Sequence, residues 1–331
     1  MRGRAIACAA IIGFFLAIGS EGAASGRQRP VLLFWNLENY FDPFDDTLTD
    51  DDEFTPDGYR HWTWDRFLRK RNTIAKVLIS VHDVFGDFPV IAGFAEVENR
   101  MVLDQLVRNT ALAKLGYEVI HRDSPDTRGI DVALIYRSGA FEPLEVAALP
   151  VDAGGRKTRD ILKVKGVMRD VSRDADTLEV YVVHFPSKFG GEKQTRHFRI
   201  RAAETLSEAV CGGRAGRVIV MGDFNDTPDS ESVRLAGSMS GLVNLAEPLH
   251  EKGLGTIKYK GRPELIDMFL VSPMLGESDM LIYEMPMLME KDSKFLGYKP
   301  YRTYYGPMWH GGVSDHYPVV LLLNLFPYST N

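Results

Sequence analysis

The stretch Arg217-Val-Ile-Val-Met-Gly-Asp-Phe-Asn-Asp-Thr-Pro228 constrains the fold of this chain most. Val218, Ile219, Val220 and Met221 form an unbroken apolar run between Gly212-Gly213 and Gly222, as a buried strand requires. The run then stops abruptly at Gly222-Asp223-Phe224-Asn225, which places a carboxylate and a carboxamide two residues apart at the strand's C-terminal end. A carboxylate there can orient or deprotonate water, and an amide can donate to a phosphate oxygen. Taken alone, Gly-Asp-x-Asn is a plain turn, since all four residue types favour turns. Its functional reading depends on what other strand ends carry.

Several carry the same kind of ending. Val31-Leu-Leu-Phe-Trp leads to Asn36 and Glu38, and Phe88-Pro-Val-Ile-Ala-Gly-Phe-Ala leads to Glu96. Leu178-Glu-Val-Tyr-Val-Val leads to His184, and Leu265-Ile precedes Asp267 inside a further apolar run. A glutamate closing an apolar run is costly to bury without a counter-charge, so a cation is expected at Glu96. Asp267 likewise needs a histidine or cation beside it. Asp315-His316 precedes the last strand, Tyr317 to Leu325.

The chain has 331 residues, enough for one large or two ordinary domains, and 45% hydrophobic content with 18 Phe excludes a disordered class. Its net charge of −6 argues against a broad basic face for nucleic acid and leaves room for a local basic groove. Arg2 and Arg4 precede an apolar core over Ala5 to Ile18 and small residues to Ser25, which reads as an export signal over 1–25. That core is too short for a spanning helix. Cleavage would remove Cys8 and leave Cys211 alone, so no internal disulfide is expected. We expect an exported, periplasmic or secreted monomer of residues 26–331, with no membrane span and no stable protein partner.

Between the strand ends, the acidic run Asp42–Asp57 lacks calcium-loop spacing and reads as a solvated loop. Phe67, Ile74, Val77, Leu78 and Val81 recur at helical spacing over 63–82, with Arg66, Arg69, Lys70 and Arg71 between them. A helix is expected over 100–113, and the stretches 142–152, 160–168 and 178–183 read as an antiparallel meander. Arg128 and Asp131 stand before and at the start of the strand Ile130 to Tyr136, and either bridge one another or serve substrate. Lys188 lies close to His184. Arg199 and Arg201 read as a solvated helix face. Lys258, Lys260 and Arg262 precede Asp267, and Arg302 stands among Tyr301, Tyr304 and Tyr305.

These motifs, Trp-Asn-Leu-Glu, Ala-Glu-Val-Glu-Asn, Val-His-Phe-Pro-Ser, Gly-Asp-Phe-Asn, Leu-Ile-Asp and Ser-Asp-His, occur in an order that resembles the endonuclease/exonuclease/phosphatase superfamily over about residues 31–325. Pro186-Ser-Lys-Phe-Gly-Gly191 is similar to a stretch of its exported bacterial branch. The resemblance implies an α+β four-layer sandwich, two mixed sheets face to face with helices outside. It implies Mg²⁺, with Mn²⁺ able to substitute, held by Glu96 with Asn36, Glu38 and Asp315 near the metal. Family members often carry aspartate where Glu38 stands. His316 would bond phosphate or activate water, Asp267 would fix its tautomer, Asp223 would orient water, and Asn225 and His184 would hold phosphate. Arg128, Lys188, Lys258, Lys260 and Arg302 are the candidate substrate cations. The expected activity is cleavage of nucleic-acid phosphodiesters. The alternative is a phosphatase or sphingomyelinase-like hydrolase of a small or lipid phosphate ester, and a non-catalytic binding protein ranks below both.

Overall fold

The computed structural model describes residues 29–169, 177–213 and 216–325, so the predicted export segment lies outside the described residues. The first strands, β1 (Val31–Tyr40), β2 (Ile91–Val97), β3 (Tyr117–His121) and β4 (Asp131–Arg137), belong to one sheet. The next five, β5 (Phe141–Leu149), β6 (Ile161–Met168), β7 (Thr177–His184), β8 (Arg217–Asp223) and β9 (Val243–Asn244), belong to another. A hairpin of β10 (Ile257–Tyr259) and β11 (Arg262–Glu264) precedes β12 (Asp267–Val271), which completes the second sheet in the order β5-β6-β7-β8-β12-β9. The chain then returns to the first sheet with β13 (Asp279–Ile282). Two small hairpins follow, β14 (Met289–Lys291) with β15 (Tyr298–Pro300) and β16 (Tyr304–Tyr305) with β17 (Met308–Trp309). The strand β18 (Val319–Leu322) closes the first sheet, ordered β13-β18-β1-β2-β4-β3.

Both sheets are mixed, since β1 with β2 and β7 with β8 pair in parallel among antiparallel neighbours. Strand alternation sorts their side chains. Leu32, Phe34, Ile91, Val132 and Leu134 of the first sheet share one buried cluster with β7, β8 and β12 of the second. From the other face of the first sheet, Leu33, Trp35, Phe94 and Ile135 pack with the apolar sides of α1 (Trp64–Phe85) and α2 (Arg100–Arg108). The second sheet packs with α3 (Glu192–Gly212) and α4 (Glu231–Ser240) through Ala203, Leu206 and Val233. The result is an α+β sandwich of two sheets between helices. Each fully buried Leu, Ile or Phe contributes about 1.5–3 kcal/mol, so the interior rather than a cross-link sustains the fold. Cys211 is free and exposed. Among the described residues, no helix is long and apolar enough to cross a membrane.

The expected helix over 100–113 is shorter than its pattern. It stops at Asn109, and Thr110 opens a separate turn by accepting a hydrogen bond from Leu112 N–H. The acidic run is a loop as expected, although only part of it is solvated. Asp42 and Asp51 are buried and accept backbone N–H bonds from Phe44 and Asp46 respectively.

Gly222 is what lets β7 and β8 approach at their functional ends. A Cβ added there would lie 2.2 Å from the Val183 carbonyl oxygen, which is backbone and cannot swing aside. Gly222→Ala is therefore expected to cost about 1–3 kcal/mol in denaturant unfolding and to reduce activity by displacing Asp223. Unchanged stability would contradict the close approach.

Candidate active site

Strand register sets three predicted residues side by side. His184 on β7 and Asp267 on β12 both lie opposite Asp223 on β8, which runs between them. His316 arrives on the loop before β18 and places Nδ1 2.8 Å from Asp267 Oδ2. That loop is pinned to β1, because Ser314 Oγ donates to the Asn36 carbonyl and Trp35 Nε1 donates to the His316 carbonyl. The first sheet also reaches across directly: Asn36 Nδ2 donates to Asp223 Oδ2 at 3.0 Å. Asn36 is opposite Ala95, so Glu96 follows at the same rim. The site forms where the strand ends of both sheets meet.

Backbone strain gathers at the same place. Among the described residues, six other than glycine have positive φ, and four of them are Glu38, Asn39, Glu96 and Asn225. Each such residue costs of order 1–3 kcal/mol and persists only where its surroundings hold it. Asn39 N–H donates to Glu96 Oε2, and Asn225 N–H donates to Asp223 Oδ1, both at 2.8 Å. The strained positions lie at the strand ends that carry the candidate site residues.

Burial separates the charge states of the two histidines. Burial, with the cations Arg159, Arg128 and His316 around it, holds His184 well below the ordinary imidazole range, so it is neutral at pH 7. Burial also pushes His316 downward, but Asp267, its hydrogen bond, Asp223 and Asp315 outweigh it and raise His316 well above that range. Asp223 is pushed up to about 7 by burial and by Asp267, against the pull of His316 and two hydrogen bonds. His316 Nε2 lies 3.9 Å and His184 Nε2 3.6 Å from Asp223 Oδ2. His184 Nδ1 and Asp267 Oδ1 are buried without a partner among the described residues. The arrangement offers a neutral imidazole, an imidazolium and a carboxylate that titrates near neutrality, which suits proton transfer around a bound phosphate.

Glu38 is held by its own cations. Its Oε1 accepts Nε and Nη2 of Arg302 at 3.2 and 3.1 Å, and its Oε2 accepts Thr303 N–H at 2.7 Å. Burial and Asp315 push Glu38 up to about 7 despite Arg302 and Lys70. Arg302 continues to Asp315 Oδ2 at 3.1 Å, and buried Lys70 donates to the Glu38 carbonyl and Thr303 Oγ1. Both Glu38 carboxylate oxygens are thus engaged. Glu96 makes no ion pair among the described residues and is half-buried, with one oxygen left beyond its bond to Asn39. The donor set fits a hard divalent cation at Glu96, with the Asn36 amide oxygen, which also accepts the Glu38 N–H at 2.9 Å, on the neighbouring strand of the same rim. The tight group Asp223, Asp267 and His316 also has ligand types close enough for an ion. Its Nδ1–Asp267 hydrogen bond already joins two of those ligands, which favours Glu96.

The remaining predicted residues divide. Arg128 stands half-exposed near His184 with Asp126 Oδ1 at 3.7 Å, and Asp131 instead accepts from Ser124 N–H and meets His121 Nε2 at 2.9 Å. Lys188 pairs with Asp226 at 3.2 Å. Arg199, expected on a solvated face, is buried and bonds the same carboxylate at 2.6 Å. Arg201 is exposed as expected. Lys258 is turned away from any substrate, with Nζ on Asp292 Oδ2 at 3.0 Å and on the Leu296 carbonyl. Lys260 is exposed at a hairpin tip. Asn225 Nδ2 donates to the Phe185 carbonyl, and this oxygen also accepts from Arg159, a buried cation that the sequence reading passed over. Thr256, whose Oγ1 donates to Asp267 Oδ2, was passed over as well.

Known proteins share this fold. Residues 31–325 match the profile of the Endonuclease/Exonuclease/phosphatase family. A family protein from Bacteroides thetaiotaomicron is 19% identical over 89% of this chain and 97% of its own, with a TM-score of 0.56. The mannosyl-6-phosphatase of that organism is 17% identical over 89% and 100%, with a TM-score of 0.54. D. rerio TDP2, complexed with single-strand DNA product, is 14% identical over 90% and 100%, with a TM-score of 0.56. No curated protein matches. With a family profile spanning nearly all described residues and the two-sheet architecture shared, the chain belongs to the endonuclease/exonuclease/phosphatase family, whose members are metal-dependent hydrolases of phosphate esters.

Proposed function

We propose that the protein is an exported, Mg²⁺-dependent phosphodiesterase acting on nucleic acid. The observation that carries the catalytic part is the buried His184–Asp223–Asp267–His316 group, tied through Asn36 to the rim that carries Glu96. Fold alone would not license an activity, whereas groups held in complementary protonation states do. Glu96 would hold Mg²⁺ with the Asn36 amide oxygen, and Asp315 would support it through Arg302. A bound Mg²⁺ would withdraw charge from the non-bridging phosphate oxygens.

The chain's own residues supply the rest. Asp223, pushed up to about 7, accepts a proton from the attacking water as the new P–O bond forms and the ester P–O bond breaks, the leaving oxygen taking its proton from solvent, while the Asn225 N–H and Asn36 Nδ2 hold the Asp223 oxygens in place. His316 donates from Nε2 to phosphate, and Asp267 fixes Nδ1 as the other donor. Neutral His184 and the free hydrogen of the Asn225 amide complete the grip. The leader over 1–25 delivers the enzyme outside the cytoplasm.

A small phosphate ester is the second reading, favoured by the acidic loop. Thr49 packs against Gly129 beside Arg128, and Asp45, Asp46, Asp50 and Asp52 are exposed there, an unfavourable path for a long polyanion. A panel of single- and double-stranded DNA, RNA, inositol phosphates, sphingomyelin and a phosphomonoester separates the two readings. If the enzyme holds four phosphates of a single strand, kcat/KM should fall roughly fifty-fold between about 50 and 200 mM salt. Turnover confined to a phosphomonoester and indifferent to salt would assign the enzyme to the second reading.

A further inference from the structure

Two hairpins leave the cleft together and carry a surface that the catalytic chemistry does not use. β10 starts one residue after Thr256, which holds Asp267, and β15 ends two residues before Arg302, which holds Glu38 and Asp315. Their outer parts are joined. Lys258 of one hairpin bonds Asp292 and the Leu296 carbonyl of the other, and a Cβ on Gly261 would lie 2.7 Å from the Phe295 ring. The loop between β14 and β15 is ordered by Asp292 Oδ1, which accepts the N–H groups of Lys294 and Phe295.

What this joined tip exposes is aromatic and cationic. Tyr259 is 55%, Leu296 96% and Tyr298 50% exposed. Lys260, Arg262, Lys291 and Lys294 are exposed and make no ion pair among the described residues, while the acids of both hairpins, Glu264, Glu290 and Asp292, are all at least partly buried. On a chain of net charge −6, four unpaired cations on one projection are a local reversal of sign. Lys260 Nζ lies 5.0 Å from the Tyr259 ring centroid and Lys294 Nζ 5.5 Å from that of Phe295. The β10–β11 turn itself is built around a lysine. Lys260 and Gly261 both have positive φ, a two-residue turn that favours Asn-Gly, and Lys260 accepts the strain of that position.

Resting on the nucleic-acid reading above, we propose that this double hairpin is a platform for single-stranded nucleic acid, holding the segment that extends from the cleft. Aromatic faces bind unstacked bases whatever their sequence, and lysines beside them neutralise the intervening phosphates. A duplex would keep its bases stacked and out of reach of Tyr259 and Tyr298. The tip lies roughly 13 Å along the strand from Thr256, beyond the phosphate being cleaved. Exposed acids stand beside Arg128, so a strand leaving toward the lysines avoids their repulsion.

The test is binding of a fluorescein-labelled oligothymidylate to the whole protein in chelator, followed by anisotropy over a salt series. Lys291→Ala with Lys294→Ala should raise Kd at least tenfold and shrink the logarithmic salt slope by about 1.4. Lys291→Arg with Lys294→Arg should restore both, and Tyr298→Ala should weaken binding about tenfold while leaving the slope unchanged. Unaltered Kd in the lysine and tyrosine variants would overturn the platform, as would a duplex bound equally well and insensitive to Tyr298→Ala. Sedimentation of the parent protein with phosphatidylserine vesicles, lost in Leu296→Ser and without oligonucleotide binding, would assign the surface to lipid instead. Cleavage assays keep the two conclusions apart. Binding through the platform without cleavage of DNA or RNA would remove the proposed activity alone, and cleavage with normal binding by the variants would remove the platform alone.

Discussion

Glu96→Gln is expected to lower kcat/KM about a thousand-fold at Mg²⁺ concentrations that saturate the parent protein. Glu96 is a site carboxylate that makes no ion pair among the described residues, its φ is 60°, its Oε2 accepts the Asn39 N–H, and its other oxygen is the donor left for a hard ion. Glutamine keeps the shape and the bond to Asn39 but removes the charge. Loss of the metal's stabilisation of phosphate charge, about 4 kcal/mol, corresponds to about three decades in rate. Chelator should abolish hydrolysis by the parent protein, and Mg²⁺ or Mn²⁺ should restore it. Isothermal titration of Mg²⁺ should show weakened binding in Glu96→Gln. Full activity in excess chelator would refute a metal-assisted reaction. By contrast, Glu38→Gln should alter Mg²⁺ affinity far less, because both Glu38 oxygens are already engaged by Arg302 and Thr303.

The strand ends were legible because the code there is local. An apolar run such as Val218 to Met221 declares a buried strand, and a polar residue at its end has nowhere to go except the sheet's rim. Once β7, β8 and β12 pair, register alone places His184, Asp223 and Asp267 abreast. The partners that hold them were not legible, since they come from distant positions whose own surroundings look solvated. Lys70 and Arg71 fall among the charged residues between the apolar positions of α1, yet both are buried. Arg159 belongs to the polar stretch Arg156-Lys-Thr-Arg159, and its burial beside Asp126 and the Phe185 carbonyl depends on tertiary packing. Arg199 has a helical spacing compatible with solvent, and Asp226, far along the chain, draws it inside together with the Pro186 carbonyl and Thr195 Oγ1. The strand β3 was missed because Tyr117-Glu-Val-Ile-His121 is short and follows directly on a helical pattern.

Asp267→Asn is expected to impair turnover about as severely as His316→Ala, by two to three decades, and the double variant should be scarcely worse than either. The two side chains act through one bond, His316 Nδ1 to Asp267 Oδ2 at 2.8 Å, so removing either removes the unit. Independent contributions would instead multiply. The pH profile adds a second readout that simple misfolding would not reproduce. Burial pulls the His316 imidazolium toward losing its proton, and Asp267 is the largest opposing influence, so the parent protein keeps His316 charged well above the ordinary imidazole range. Replacing Asp267 by the isosteric, neutral amide removes that opposition, and the proton then leaves at lower pH. If the imidazolium is the active donor, the alkaline limb of kcat/KM in Asp267→Asn must move toward acid, and what activity survives must be greatest at lower pH than in the parent. The acid limb reports Asp223, which is pushed up to about 7 by burial and by the neighbouring Asp267 charge. Losing that charge lowers Asp223 as well, so both limbs should shift in the same direction. A profile that loses height without moving would mean that Asp267 only supports the local structure and sets neither proton.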